Sequence, residues 1–228
     1  MKTLPVEING KQIPCHLKRK AVRLIYLRLK PGPILEIVLP RNKDIDLEAL
    51  FEKKRRWLEK KIKEISQAKK LFEDDTLLYR GEPFEIKVCP TEKRHCGVRI
   101  SKKVFFVYLN SRKTKKEVLI DFLATQTLEY TQEKAQNFAR KIGVLYKTVA
   151  TKETKRWGYC TRDGNIFFNW RLICLPESLI DYIVLHEVLH LKHFNHSPQF
   201  KKEMAKYLVD FKEREKQLKT YILNDINQ

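Results

Sequence analysis

The stretch 179–200, LIDYIVLHEVLHLKHFNHSPQF, decides how this chain is interpreted. Apolar residues dominate its first half, which predicts a helix through 180–193 that lies in the core. Four of the six histidines of the chain fall inside the stretch. The first two, His186 and His190, are four residues apart, so their rings project from one face of a helix on successive turns. This spacing lets two imidazoles bind a single zinc ion.

Glu187 completes an HExxH pattern with these two histidines. In that pattern the glutamate does not bind the metal but acts as general base toward the water that the metal activates. The alternative is a histidine-rich surface helix, or core histidines satisfied by hydrogen bonds, and it offers no packing reason for this combination. The pattern therefore predicts a zinc hydrolase that holds one Zn²⁺ per chain and uses Glu187 as its catalytic residue.

A catalytic zinc ion needs a third protein ligand and one open position. His193 stands seven residues after the first histidine, about 10 Å along the axis of a straight helix, which is too far for convergence on one ion. His196 lies between Asn195, which can end a helix, and Ser197-Pro198, which can begin one. We therefore expect a bend that returns His196 to the metal, with His193 as second choice and the carboxylate of Glu203 as third.

The segments before the HExxH helix predict an α+β fold. Residues 115–142 have the apolar spacing of a long helix, and Gly143 is a natural stop for it. Residues 148–159 and 165–174 predict a β-hairpin around Asp163-Gly164. Together with the HExxH helix and the C-terminal helices, these elements predict an α+β, zincin-like metallohydrolase core.

The N-terminal part predicts a different organisation. Runs rich in Val, Ile, Leu and Tyr within 4–40 and 77–109 predict strands. Between them, residues 46–69 predict an amphipathic helix with a strongly basic polar face. We therefore expect a β-rich part with a basic helix, residues 1–110, and a catalytic part, residues 111–228.

Composition limits the class of protein. With 43% hydrophobic residues, the 228-residue chain can bury a core, and it contains no apolar run of about 18 residues that would predict a membrane span. The first twenty residues have no apolar signal core, and the five cysteines form no CxxC pair. We expect a reduced, cytoplasmic protein that does not act at a membrane.

The charge of the chain is strongly positive. Its 47 Lys and Arg exceed its 28 Asp and Glu, which gives a formal net charge of +19. Such a charge attracts polyanions, so a nucleotide or nucleic acid is a possible partner through the basic surface. Alternatively, the net charge reflects a lysine-rich composition, with the basic side chains spread over solvated faces and no polyanionic partner.

Several short segments recur together in one family of proteins. They are Arg156-Trp157-Gly158 with Cys160, Gly164-Asn165, Asn169 to Leu172, Pro176, Asp181-Tyr182 with the HExxH motif, and Asn195 to Pro198 with Phe200. In this set the chain resembles the YgjP-like metallopeptidase family, related to the SprT-like and WLM zinc metalloproteases. It departs from the family pattern at Tyr159 and Thr161, where the family usually has Ser, and at Val188, where it usually has Leu.

The resemblance extends, more weakly, over about residues 15–220. It implies that His186, His190 and His196 bind zinc, that the HExxH glutamate is catalytic, and that the substrate is a peptide or protein. Some relatives are described as nucleotide pyrophosphatases that act on UTP, which makes this activity the alternative; a nucleic-acid-associated binding protein ranks third. The chain has no P-loop pattern and its ligands are imidazoles rather than carboxylates, which favours the peptidase.

Three neighbouring residues are candidates for substrate binding. Asn169 could hydrogen-bond a substrate backbone, and Arg171 offers a bidentate fork for a carboxylate or phosphate. Trp170 could stack on a substrate, although a tryptophan more often fills a core. An ion pair inside the hairpin is an equally good use of Arg171.

Overall fold

A computed structural model describes residues 2–8, 10–30, 34–43 and 45–223. It shows a mixed α+β protein whose chain forms two compact units, Met1–Lys69 and Lys70–Gln228. The expected boundary at residue 110 falls inside the second unit, because Phe105 and Leu119 on either side of it are fully buried in the same core. A functional division at residue 110 stays a prediction.

The first unit is a four-stranded sheet with one helix. Its strands are β1 (Lys2–Ile8), β2 (Lys11–Lys20), β3 (Tyr26–Lys30) and β4 (Ile34–Pro40). They lie in the order β1-β2-β4-β3, with β2 and β4 parallel and the other pairs antiparallel. Helix α1 (Leu47–Ser66) falls within the predicted range 46–69, and the Asp46 side chain caps two backbone N–H groups at its start.

The apolar face of α1 packs on this sheet. Leu58 is 1% exposed and shares a core with Leu35 and Ile37 of β4. Phe51 and Ile62 of α1 pack against the same core. The polar face of α1 therefore remains in contact with solvent.

The second unit begins with a five-stranded sheet and a long helix. The strands are β5 (Phe72–Glu73), β6 (Thr76–Tyr79), β7 (Glu82–Pro90), β8 (Gly97–Ser101) and β9 (Val104–Leu109). Their order is β5-β6-β7-β9-β8, and β7 and β9 are the parallel pair. Helix α2 (Lys115–Ile142) has the predicted bounds, because Thr114 and Glu117 form a capping box and Gly143 adopts a left-handed φ of 77°.

A three-stranded sheet follows α2. Its strands are β10 (Thr148–Thr151), β11 (Gly158–Cys160) and β12 (Asn165–Phe168), in the order β10-β12-β11. Only β11 and β12 form the predicted antiparallel hairpin, whereas β10 is parallel to β12 because 152–157 carry the chain to the other edge of the sheet.

The second half of the predicted hairpin is also shorter than expected. Strand β12 ends at Phe168, and residues Trp170–Cys174 form a 3₁₀ helix instead of strand. The change of structure starts at Asn169, whose side-chain oxygen accepts the backbone N–H of Arg171 at 2.9 Å. This local bond stabilises a helical turn that the apolar sequence after Asn169 does not reveal.

Three helices complete the second unit. They are α3 (Glu177–Leu189), α4 (Pro198–Tyr207) and α5 (Phe211–Leu218). Helix α3 ends earlier than the predicted 180–193, because Leu191 and Lys192 bond to carbonyls three residues back and so leave the α-helical pattern. Among the described residues, no helix is both long enough and apolar enough to cross a bilayer.

The turn between β6 and β7 docks on the segment that leads into α3. The N–H of Arg80 donates to the carbonyl of Ile173 at 2.8 Å, and that of Gly81 to the carbonyl of Cys174 at 3.1 Å. Both turn residues have positive φ, 52° and 83°. A Cβ at Gly81 would lie only 2.9 Å from the Cα of Pro176. The turn therefore accepts only glycine at this position.

We expect Gly81→Ala to destabilise the protein more than Gly143→Ala does. Both glycines have positive φ, so alanine costs about 1–2 kcal/mol of unfolding free energy at either site, but nothing lies within 4 Å of a Cβ at Gly143. The difference between the two variants isolates the clash with Pro176. Thermal denaturation measures it, and equal melting temperatures for the two variants would contradict the close contact.

Candidate metal centre

Two histidines lie at the C-terminal end of α3, His186 in its last turn and His190 as the residue that caps it. The Nε2 atoms of His186 and His190 are 3.2 Å apart. Two nitrogens that each lie 2.0–2.1 Å from a tetrahedral zinc ion are about 3.3 Å apart. The separation of the two rings therefore fits a shared metal ion.

His196 joins this pair from the segment between α3 and α4. Its Nε2 lies 2.9 Å from the Nε2 of His186, and the candidate ligand atoms of all three histidines lie within 4.8 Å of one another. The expected bend is thus present, although it starts at the end of α3 rather than at Asn195. Within the part of the chain that the structure describes, these residues are the one group of His, Cys, Asp or Glu found that could hold a metal ion.

A backbone carbonyl fixes the orientation of the second ring. The Nδ1 of His190 donates to the carbonyl oxygen of His193 at 2.9 Å. A proton held at Nδ1 leaves Nε2 with a free lone pair, which is the form that binds metal. The turn after α3 therefore orients His190 through its backbone.

Phe200 of α4 packs against all three imidazoles. Its ring centroid lies 5.0 Å from those of His186 and His190 and 5.1 Å from that of His196. Phe200 is only 3% exposed, so it forms an apolar wall beside the ligand atoms. From the sequence, Phe200 was recognised only as part of the family pattern.

Burial sets the charge state of the first ligand. Burial, together with the smaller effects of the neighbouring His190 and His196, lowers the pKa of His186 to about 3. Burial also lowers the pKa of His190. Neutral imidazole is the form that coordinates a metal, so the site is ready to bind a cation at neutral pH.

Glu187 points from α3 toward strand β11. It is 6% exposed, and burial raises its pKa to about 8, while the backbone N–H of Cys160 and the positive charge of Arg156 oppose that rise. A cation held by the neighbouring histidines would favour the charged carboxylate. The site thus places a proton acceptor next to three potential metal ligands.

Gly158 lets β11 approach this carboxylate. A Cβ at Gly158 would lie 3.0 Å from Cγ and 3.3 Å from Oε1 of Glu187. Any side chain here would push Glu187 out of position. In the sequence Gly158 is only one residue of a motif, because its steric role depends on the strand that lies beside α3.

His193 and Glu203 are not part of the histidine cluster. The His193 side chain pairs with the Glu203 carboxylate, which also accepts a hydrogen bond from Lys192 at 2.8 Å. The hydrogen bond from Lys192 has the largest effect in lowering the pKa of Glu203, and the bond with His193 has the next largest. The pair ties the turn after α3 to α4, and neither residue is among the three that converge.

A cleft of about 630 Å³ opens above the cluster. Besides the three histidines and Glu187, its lining comprises Arg156, Gly158, Tyr159, Cys160, Arg162 and Phe194. Arg156 comes from the segment before β11, and the other residues come from β11, the β11–β12 turn and the segment after α3, which is distant in sequence. Sequence reasoning did not identify Arg162 or Phe194 as part of the site.

The three expected substrate-binding residues lie elsewhere in the second unit. Asn169 is fully buried, and its amide group donates to the carbonyl of Thr154 at 2.7 Å. The Arg171 guanidinium stacks on the Trp170 ring at 3.9 Å and pairs with Glu153 at 3.1 Å. All three are absent from the lining of the cleft, and their contacts hold the start of the 3₁₀ helix.

The fold and the histidine cluster together define an α+β protein with a candidate metal centre. The family model for the YgjP-like metallopeptidase domain matches residues 23–221. The chain belongs to the YgjP-like metallopeptidase family, which confirms the resemblance seen in the sequence. Family membership makes it a metal-dependent peptidase at the family level, for which a peptide or protein is the expected class of substrate.

The chain is also similar to proteins of known structure. The metallopeptidase zymogen abylysin of Pyrococcus abyssi is 22% identical and covers 41% of this chain and 99% of its own, with a TM-score of 0.37. Comparison with curated proteins gave no match.

Two histidine variants test the ligand set. We expect His196→Ala to lose bound metal because one of three converging nitrogens is removed. His193→Ala should retain the metal, since its backbone carbonyl still orients His190. Elemental analysis of both purified variants measures the difference. Retention of metal in His196→Ala with loss in His193→Ala would assign the third ligand to His193.

Proposed function

We propose that this chain is a zinc metallopeptidase whose catalytic part, residues 111–228, has a zincin-like core. His186, His190 and His196 hold one Zn²⁺, and Glu187 is the general base. The observation that carries the proposal is the convergence of three imidazole nitrogens beside a buried carboxylate. Structural packing alone gives no reason to place these four groups together.

The donor set fits zinc. Three neutral imidazoles are a catalytic zinc ligand set that leaves one coordination position open. When bound, zinc lowers the pKa of a coordinated water toward about 7 and polarises the carbonyl of the substrate. The His193 carbonyl and the Phe200 ring support the ligands by fixing the orientation of the imidazoles.

Glu187 takes the proton of the attacking water. The N–H of Cys160 orients its carboxylate, and Gly158 leaves the room that this orientation needs. A cation held by the neighbouring histidines favours the charged form of this buried carboxyl, which is the form that accepts a proton. The same proton can then pass from Glu187 to the leaving amine.

Strand β11 supplies an edge for an extended peptide. It is the terminal strand of its sheet, with β12 on one side only. Thr161 N–H donates to Asn165 and Asn169 N–H to the Trp157 carbonyl, both at 2.9 Å. Because hydrogen bonds alternate along an antiparallel pair, the backbone N–H and C=O groups of Gly158 and Cys160 face away from β12. The Cys160 N–H bonds to Glu187, which leaves the Cys160 carbonyl and the Gly158 backbone groups for a partner. A substrate strand could pair there, next to Glu187.

The cleft also gives a second candidate function some support. Arg156 and Arg162 line it, and guanidinium groups bind phosphate oxygens well. This observation favours the alternative of a UTP pyrophosphatase, which uses the same glutamate and the same histidines. The peptidase remains the leading proposal because it also accounts for the edge strand.

We expect Glu187→Gln to keep about one zinc ion per chain and to lose activity. The substitution leaves the three imidazoles in place but removes the proton acceptor, so turnover should fall by roughly 10²–10⁴-fold. Hydrolysis of casein by zinc-loaded protein, measured beside elemental analysis, tests both points. Unchanged casein hydrolysis in Glu187→Gln would exclude Glu187 as the base.

The two substrates separate the two candidate functions. Zinc-loaded protein should cleave casein, with UTP left intact, if the chain is a peptidase. Arg162→Ala provides the matched variant, because removing a cleft cation should weaken UTP hydrolysis far more than casein hydrolysis. UTP hydrolysis that disappears in Glu187→Gln, without any action on casein, would replace the peptidase by the pyrophosphatase.

A further inference from the structure

The solvent face of α1 carries a row of cations with a tryptophan in its middle. Lys53, Arg56, Trp57, Lys60 and Lys63 recur at intervals of three and four residues, which places them on one side of the helix. All five side chains are exposed, and Trp57, a large apolar residue, is 38% exposed. We call this row the basic stripe.

The four cations of the basic stripe are not held in ion pairs among the residues that the structure describes, whereas Arg55 and Lys61 beside it pair with Glu52 and Glu64. The hydrogen bond from Lys61 lowers the pKa of the Glu64 carboxyl, and Lys60 is close enough to help lower it. The first unit as a whole holds 18 Lys and Arg against 8 Asp and Glu in residues 1–69. About half of the net charge of the protein therefore lies in its smaller unit, where a polyanion would complement it.

The apolar face of α1 is already occupied. Leu58 is 1% exposed in the core of the first unit, and Phe51 and Ile62 pack against that core. An amphipathic helix that lies in a membrane surface inserts its apolar face between lipids. Since α1 offers only its basic face, a lipid bilayer is a poorer partner than a polyanion in solution.

The exposed ring of Trp57 favours a nucleic acid with unpaired bases over a duplex. This ring lies between Lys53 and Lys60 along the row of cations. A nucleotide whose phosphate binds to one of these cations is therefore within reach of the ring. Unpaired bases offer flat faces on which an aromatic side chain can stack, whereas the bases of a duplex already stack on each other. We propose that the basic stripe binds single-stranded nucleic acid, with the cations on the phosphates and Trp57 on a base.

The first experiment measures binding by the full-length protein. Fluorescence anisotropy with a labelled 20-nucleotide oligothymidine should show binding at low salt. The logarithm of the affinity should fall with the logarithm of salt concentration with a slope of about −0.7 per phosphate contacted, or about −2.8 for four cations. The same strand annealed to its complement should bind more weakly, because its bases are not available to Trp57.

Matched charge variants locate the site. Lys53→Glu with Arg56→Glu and Lys60→Glu should weaken binding at least about tenfold and flatten the salt slope. The control reverses Lys206, Lys212 and Lys216, three exposed lysines of α4 and α5, by the same total charge. Circular dichroism verifies that each variant is folded. An equal loss in the control would show that only net charge matters and would overturn the proposal.

Two variants of the tryptophan test the stacking. Trp57→Ala should weaken binding by about 5- to 150-fold, while Trp57→Phe, which keeps an aromatic face, should retain most of it. Identical affinity in Trp57→Ala, or equal binding of duplex and single strand, would refute the single-strand assignment.

Binding to anionic phospholipid vesicles without binding to the oligonucleotide would refute the proposal in favour of a membrane surface. Casein hydrolysis should be unchanged in all of these variants, so this result is independent of the proposed peptidase.

Discussion

Burial of polar groups on α3 is the constraint on which the metal centre depends. His186 and Glu187 sit on a helix whose other residues are almost all in the core, and a buried polar group without a partner costs several kcal/mol. Their partners come from elsewhere: a backbone N–H of β11 for the carboxylate, and two further imidazoles for the first ring. The site is therefore complete only when strand, helix and following turn are packed together, so its geometry and the folding of the second unit depend on each other.

The parts of the fold that follow local rules were predictable from sequence. Helix α2 was placed correctly because its apolar spacing and the stop at Gly143 are recorded in the sequence itself. The spacing of His186 and His190, and the signals around His196, likewise gave the three residues that the structure brings together. These features depend on neighbours within a few residues, which sequence patterns record directly.

The errors have two physical origins: hydrogen bonds of single polar groups to backbone two or three residues away, which apolar periodicity does not record, and contacts between segments that are distant in sequence. Residues 170–174 are apolar enough for a strand, and only the side-chain bond of Asn169 turns them into a 3₁₀ helix. The early end of α3 is accompanied by the bond between His190 and the carbonyl of His193, which apolar periodicity does not show. Arg162 and Phe194 reach the cleft only because the strand hairpin and the turn after α3 meet there, so no spacing in the sequence connects them.

The turn at Arg80 and Gly81 is a place where an inserted residue would disrupt the fold. Loops at the surface usually accept insertions, and Arg80 is exposed. Here, however, both backbone N–H groups are bonded to the 3₁₀ helix, and Gly81 lies against the residue that precedes α3. An added residue would separate the sheet from the helix that carries the histidines. We therefore expect relatives of different length to differ at other loops, and a tag or fused domain placed at this turn to cost the protein its metal site.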